Sequence, residues 1–249
     1  MINKEIIDEA FVFYNIDKKY KERCYEALKN INSSKKYMNA FKEVYTKLYI
    51  NEFSSIEPLW EIENIYDMFI DSIDPFATNL MVLAGYRFHI ENIKKYKLDD
   101  EQIIIHKNRV KECFESDLLS RGYESIRISK MLWAAYFIRV RLLEIFSLQF
   151  EYKTNMLVKI HIPKNTDLNV EKVKKSIEVS KELLPKIYNI KGYKYMCTSW
   201  LLSNQVYKLI DKETNISKFY DLFKVEDGDD CLEDILNFVF GIEDYFSMF

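Results

Sequence analysis

Residues 147–163 read SLQFEYKTNMLVKIHIP, and their side chains alternate with a period of two. Leu148, Phe150 and Tyr152 interleave with Gln149 and Glu151; Met156, Val158, Ile160 and Ile162 interleave with Leu157, Lys159 and His161. Such alternation marks half-buried strands, so two strands are expected here. Register then selects the connection. A three-residue turn at Lys153, Thr154 and Asn155 pairs Tyr152 with Met156 and sets apolar side chains against apolar ones. A two-residue turn would oppose Glu151 to Val158, so the three-residue turn is expected, with His161 opposite Ser147. This pairing gathers Gln149, Glu151, Lys159 and His161 on the second face of the hairpin.

Upstream the period is helical. KEIIDEAFVFYNI, KERCYEALKNI and KKYMNAFKEVYTKLYI repeat apolar residues at spacings of three and four, with Asn32 to Ser34 and Asn51 to Ser55 as loop and capping residues. LWEIENIYDMFID follows Pro58, and FATNLMVLAGYRFHIENIKKY follows Pro75. The latter is rich enough in large side chains to be buried on more than one side, as the central helix of the first half. EQIIIHKNRVKECFESDLLS should form a helix ending at Arg121-Gly122, and another should run through MLWAAYFIRVRLLEIF. Phe11, Phe13, Tyr14, Trp60 and Tyr86 read as core side chains.

Downstream, Asn169 is the expected N-cap for VEKVKKSIEVSKELLPKIY, which carries Val170, Val173, Ile177, Leu184 and Ile187 toward a sheet. A strand at YKYMCTSWLL, helices at QVYKLID and ISKFYDLF, and strand-like FKVED and LNFVF complete the order ββαβααββ. The expected class is α+β: a helical domain over 1–125, packed on a mixed β-sheet with flanking helices over 126–249.

Composition narrows the function classes. The chain has 249 residues, of which 48% are hydrophobic, with five glycines and four prolines, which suits a packed helix-rich protein rather than a disordered one. Lys and Arg number 36 against 39 Asp and Glu, and the basic residues are dispersed, which argues against nucleic acid as a partner. Cys24, Cys113, Cys197 and Cys231 show no CxxC and no zinc-ligand spacing with histidine, so reduced thiols, no metal and a cytoplasmic location are expected. The N-terminal stretch has acidic residues where a signal peptide would be apolar. The apolar run MLWAAYFI is followed by Arg139, Arg141 and Glu144, too soon for a bilayer span, so no membrane association is expected.

Three segments are familiar in combination: RLLEIFSLQFEY at 141–152, IHIPKNTDLNVEKVKKSIEVSKELL at 160–184, and CTSWLLSNQVYKLIDKETNISKF at 197–219. With Leu148-Gln149-Phe150, His161-Ile162-Pro163, Cys197 to Leu202 and Thr214-Asn215-Ile216, the chain resembles the bacterial acyltransferase domain-containing proteins. These combine a helical N-acyltransferase N-terminal domain with a GNAT-like C-terminal domain. The resemblance implies a GNAT-like mixed sheet in the second half, and acyl transfer from acetyl-CoA or another acyl-CoA to a small-molecule or peptide acceptor. It also implies a pattern continuing beyond FVFGIEDYFSMF. In the GNAT superfamily a Gln/Arg-x-x-Gly-x-Gly/Ala loop usually cradles the pyrophosphate; the corresponding loop here, PKNTDLNVEK, has no glycine.

Direct transfer from a thioester requires a base for the amine proton and donors for the thioester oxygen. Glu151 and His161 are the candidate bases, because the hairpin register turns both to one polar face; the plain alternative is a Glu151–Lys159 salt bridge beside a packed histidine. A covalent route would use Cys197 activated by His161, although a cysteine in an apolar strand commonly only packs. Ser199 would share the face of Cys197, and Trp200 would lie on the other. Lys164, Asn165 and Thr166 precede a helix N-terminus, whose N–H groups suit a phosphate of the coenzyme. Two functions remain: a GNAT-like acyltransferase, or a non-catalytic ligand- or protein-binding module on the same scaffold, which the glycine-free loop favours.

Overall fold

Short acceptor side chains open the first and third helices. Asn3 Oδ1 accepts the Ile6 N–H at 2.9 Å and starts α1 (Lys4–Tyr14), while α2 (Lys21–Asn32) and the Ser34-capped α3 (Lys35–Tyr45) follow. A computed structural model describes residues 2–50, 69–120, 124–154, 156–164 and 166–226. The expected helix after Pro58, with Trp60, and the strand LNFVF lie outside these residues, as does Cys231. FKVED is not a strand over the part that is described, to Glu226.

The stretch after Pro75 forms two helices, α4 (Ala77–Ala84) and α5 (Tyr86–Tyr96), broken at Gly85. Every residue of α4 is buried, and α1, α2, α3, α6 (Asp100–Ser120) and α7 (Ile128–Ile138) all pack against it. Sequence periodicity therefore locates the central helix but overlooks its interruption. Glycine is required at the break for a steric reason: a Cβ on Gly85 would lie 2.6 Å from Cζ of Tyr49, whose ring is fully buried and whose hydroxyl donates to the Met81 carbonyl at 3.1 Å. Phe11 and Tyr14 are buried, with Phe13 and Tyr86 packed against the same core.

Helix α7 ends at Ile138, eight residues before the helical reading did. Val140 takes a left-handed conformation with φ 52°, and Arg141 N–H reaches back to Tyr136 O at 2.9 Å, closing the helix. No glycine or asparagine signals that closure. Leu142–Ile145 then forms strand β1, and a second left-handed residue, Phe146 with φ 53°, turns the chain into β2 (Leu148–Thr154). RLLEIF satisfies a helical and an extended pattern equally, and only the closure at Val140 resolves it.

β2 and β3 (Leu157–His161) are antiparallel, and β4 (Lys194–Cys197) runs parallel to β3, giving the order β1-β2-β3-β4 among the described residues. The hairpin register differs from the expected one by two residues. Gln149 pairs with His161, Glu151 with Lys159 and Tyr152 with Val158, and a bulge between Tyr152 and Thr154 absorbs an extra residue. The three-residue turn and the Ser147–His161 pairing are thereby corrected. A shift of two preserves every side chain's face, so the polar grouping survives.

Asn169 caps α8 (Val170–Tyr188), accepting from Glu171 and Lys172 N–H. Its buried stripe is Val173, Ser176, Ser180, Leu184 and Tyr188, with Ile177 and Ile187 only partly covered. The contacts to the sheet explain the difference. Ser180 Oγ lies 2.6 Å from Tyr195 Oη, Ser176 Oγ accepts the Ser147 N–H at 3.2 Å, and Tyr152 stacks on Tyr188 at 4.7 Å between ring centroids. The strand expected over YKYMCTSWLL ends at Cys197, because Ser199 caps a 3-10 turn at Trp200–Leu202. Helices α9 (Asn204–Leu209) and α10 (Asn215–Tyr220) follow.

The chain divides into two compact units, 1–143 and 144–249. Helix α7 packs with α4, α5 and α6, so it belongs to the first, whereas the sequence-based division at 125/126 placed it in the second domain. No helix among the described residues is long and apolar enough to cross a membrane.

Gly85→Ala is expected to lower stability by about 1–3 kcal/mol through overpacking against Tyr49; a thermal midpoint equal to wild type would refute the steric account. A pH effect comes from two fully buried histidines in the first unit, His89 and His106, whose ring centroids lie 5.8 Å apart. His89 Nδ1 shares a hydrogen bond with Tyr14 Oη at 2.9 Å, and His106 Nδ1 donates to Phe137 O at 3.0 Å. Burial pushes His89 well below its ordinary range and His106 from 6.5 down to about 4. The unfolded chain takes up these protons near 6.5 and the folded chain does not. Stability present above 6.5 is therefore lost as pH falls toward 4. His106→Gln should flatten that loss in thermal melts, and an unchanged slope would contradict it.

Candidate functional site

The polar face of the hairpin is built by alternation along β2 and by pairing across to β3. Glu151 is 1% exposed and accepts at both carboxylate oxygens: Lys153 Nζ stands 2.8 Å from Oε1, and His161 Nε2 stands 2.7 Å from Oε2. Lys153 lies two residues along the same strand, and His161 is the diagonal neighbour on β3. Burial alone would raise the Glu151 carboxyl. The hydrogen bonds from His161 and Lys153 outweigh it and hold the group below the usual carboxylate range.

The sequence-based alternative, a surface salt bridge of Glu151 with Lys159, is replaced by this arrangement. Lys159 is the cross-strand partner of Glu151, but Lys153 and His161 make the bonds. An ionised carboxylate can only accept, so Nε2 carries the ring proton, and the lone pair of a neutral His161 lies on Nδ1. Gln149, directly across from His161, is 3% exposed and donates Nε2 to Glu144 Oε2 on β1 at 2.7 Å. This face can orient an imidazole and accept a proton from a bound group.

Cys197 is brought to a different place. It pairs with Ile160, so it shares the Ile160 face with Tyr195, under α8, whereas His161 points to the opposite side. Its thiol is pushed up to about 12 by burial, against a small opposing effect of Lys159. Neither a neighbouring imidazole nor a stabilised thiolate is present there to support a nucleophile. Ser199, expected beside it, serves as the cap of the 3-10 turn through Leu201 N–H.

The expected coenzyme loop is partly described. Lys164 is exposed and Asn165 lies outside the described residues. Thr166 is committed to a turn: its N–H donates to Pro163 O at 3.2 Å and its hydroxyl donates to the same carbonyl. At the start of α8, Asn169 Oδ1 occupies the Glu171 and Lys172 N–H groups, and Asp167 accepts from Asn169 N–H and Lys172 Nζ. Two of the first donors of the helix are thus already engaged, beside a carboxylate.

Two members of the polar face escaped the sequence reading. Lys153 falls in the expected turn, although the spacing Glu151-x-Lys153 already puts both on one face of a longer strand. Glu144 was hidden by the helical reading of RLLEIF.

Residues 90–247, more than half of the chain, match the model of the GNAT-like C-terminal domain family. The chain belongs to this family. The GNAT-like match begins within α5, so it takes in α6 and α7 of the first compact unit as well as the sheet. Solved structures share the α+β fold. An acyltransferase in complex with decanoyl-CoA and teicoplanin is 13% identical, with a TM-score of 0.58, over 95% of this chain and 88% of that one. An acyltransferase in complex with decanoyl-CoA is 12% identical, with a TM-score of 0.59 and the same coverage. Among curated proteins, none matches the chain significantly.

Glu151→Gln is expected to destabilise the protein at neutral pH by about 3 kcal/mol, because it breaks a buried ion pair. The Glu151 carboxyl is depressed on folding, so its contribution is present above the ordinary value of 4.5 and is lost as pH falls through the lower folded value. The gap between wild-type and variant melting temperatures should therefore close in acid. A gap that persists unchanged would remove the ionised carboxylate from the account.

Proposed function

We propose that this chain is an acyl-CoA-dependent N-acyltransferase in which His161 is the general base and Glu151 positions it. The observation that carries this reading is the 2.7 Å bond from His161 Nε2 to a buried carboxylate, on the polar face of a hairpin in a GNAT-like domain. The similar folds solved with decanoyl-CoA, and with decanoyl-CoA and teicoplanin, support an acyl-CoA donor and make decanoyl-CoA the first to try.

In direct transfer the acceptor amine attacks the thioester carbonyl and forms the C–N bond. Its proton passes to His161 Nδ1, the C–S bond breaks, and coenzyme A leaves as a thiolate that takes up the proton from the imidazolium, restoring the neutral base. Glu151 stabilises the imidazolium as it forms, and no covalent enzyme intermediate is required. The placement of Cys197 on the other sheet face supports this route over the covalent one.

A second reading, a non-catalytic binding module, is favoured by the loop between β3 and α8. It lacks glycine, and its helix N-terminus is already capped from within by Asn169. Ligand binding and turnover separate the two. Decanoyl-CoA at a hundred times its dissociation constant should stabilise the native state by about 2.7 kcal/mol. Release of coenzyme A thiol with an amine acceptor panel should then fall by about 10²-fold or more in His161→Ala and persist in Cys197→Ala. Binding without turnover for any acceptor favours the module. Turnover that survives His161→Ala but not Cys197→Ala overturns the proposed mechanism.

A further inference from the structure

A carboxylate that is 1% exposed needs a positive charge beside it, and two groups able to carry one are bonded to Glu151. One is Lys153, bound to Oε1 at 2.8 Å; the other is His161, bound to Oε2 at 2.7 Å. The roles are not interchangeable. If the imidazole supplied the charge, both of its nitrogens would be protonated, and it could accept nothing from a substrate.

We infer that Lys153 is a positioning residue that supplies the counter-charge of Glu151, so that His161 can donate Nε2–H to the carboxylate while remaining a neutral base at Nδ1. This rests on the proposed role of His161 and adds the residue that makes the role possible. The geometry agrees with the division of labour. Lys153 and Glu151 are two apart on β2, which puts both on one face, and the separate oxygens they and His161 use let both bonds exist together. Among the described residues, the other ionisable side chains that the strands place on this face are Lys159 on β3, across from Glu151, Glu144 on β1, bonded by Gln149, and Lys194 on β4, across from Leu157. Helix α8 covers the opposite face.

Removing the lysine should move the burden of charge to the imidazole. In full-length protein labelled with ¹⁵N-histidine, at about pH 7.5, wild-type His161 should show one protonated and one bare ring nitrogen. In Lys153→Met both should be protonated. The His161 signals are assigned by their loss in His161→Ala, which separates them from those of His89 and His106. Lys153→Arg, which keeps the charge, should restore the wild-type pattern, as should Lys153→Met/Glu151→Gln, which removes the need for a counter-charge and guards against a single variant that fails to fold.

With a working acyl-CoA and acceptor pair, Lys153→Met should lose about tenfold in kcat near neutral pH and recover as the pH is raised, with KM little changed. Unaltered ring nitrogens in folded Lys153→Met, or a kcat loss equal at every pH, would overturn the inference. The nitrogen measurement needs no substrate. An altered protonation pattern without turnover would therefore leave the charge assignment standing while the proposed function fell.

Discussion

The two-residue period of the β2–β3 ladder is the constraint on which the second unit depends. Because Phe150, Tyr152, Val158 and Ile160 must share a face, Gln149, Glu151, Lys159 and His161 must share the other. The first face accepts α8 through the Tyr152–Tyr188 stack and the Ser180–Tyr195 hydrogen bond. The second gathers a carboxylate, a lysine and an imidazole. One alternation thus separates the side that stabilises the domain from the side that carries its candidate chemistry.

That separation also sorts the candidate nucleophile from the candidate base. Cys197 and His161 are close in the sheet, yet β4 pairs Cys197 with Ile160 and so commits the thiol to the α8 side. Desolvation there favours the neutral thiol. On the other side, the desolvated carboxylate keeps its charge only because hydrogen-bonding partners offset the penalty. Desolvation thus leads to opposite outcomes for two acids, according to whether a strong donor is within reach.

Motif and structure also part company at the expected coenzyme loop. The helix N-terminus at α8 is present, but Asn169 and Asp167 already use or oppose its donors. Any ligand with phosphate groups would meet a site lined differently from a glycine-rich cradle, in which bare backbone N–H groups come close to the anion. The GNAT-like fold does not by itself specify how an anionic ligand is held.

The sequence by itself determined the class of the fold, the faces of the hairpin and the central position of the Ala77–Ala84 segment. Each depends on periodicity, which is a local property of the chain. It also placed Glu151 and His161 together, since an error of two residues in register leaves the faces unchanged. The end of α7 at a left-handed Val140, the break at Gly85 beneath the Tyr49 ring, and the bulge that draws Lys153 into β2 were decided only by the tertiary structure. These depend on contacts between residues far apart in the chain, or on backbone conformations that no glycine or asparagine announces. The bond from Lys153 to Glu151 belongs with them, because the spacing that puts both on one face counts only once the bulge has carried the strand past Tyr152.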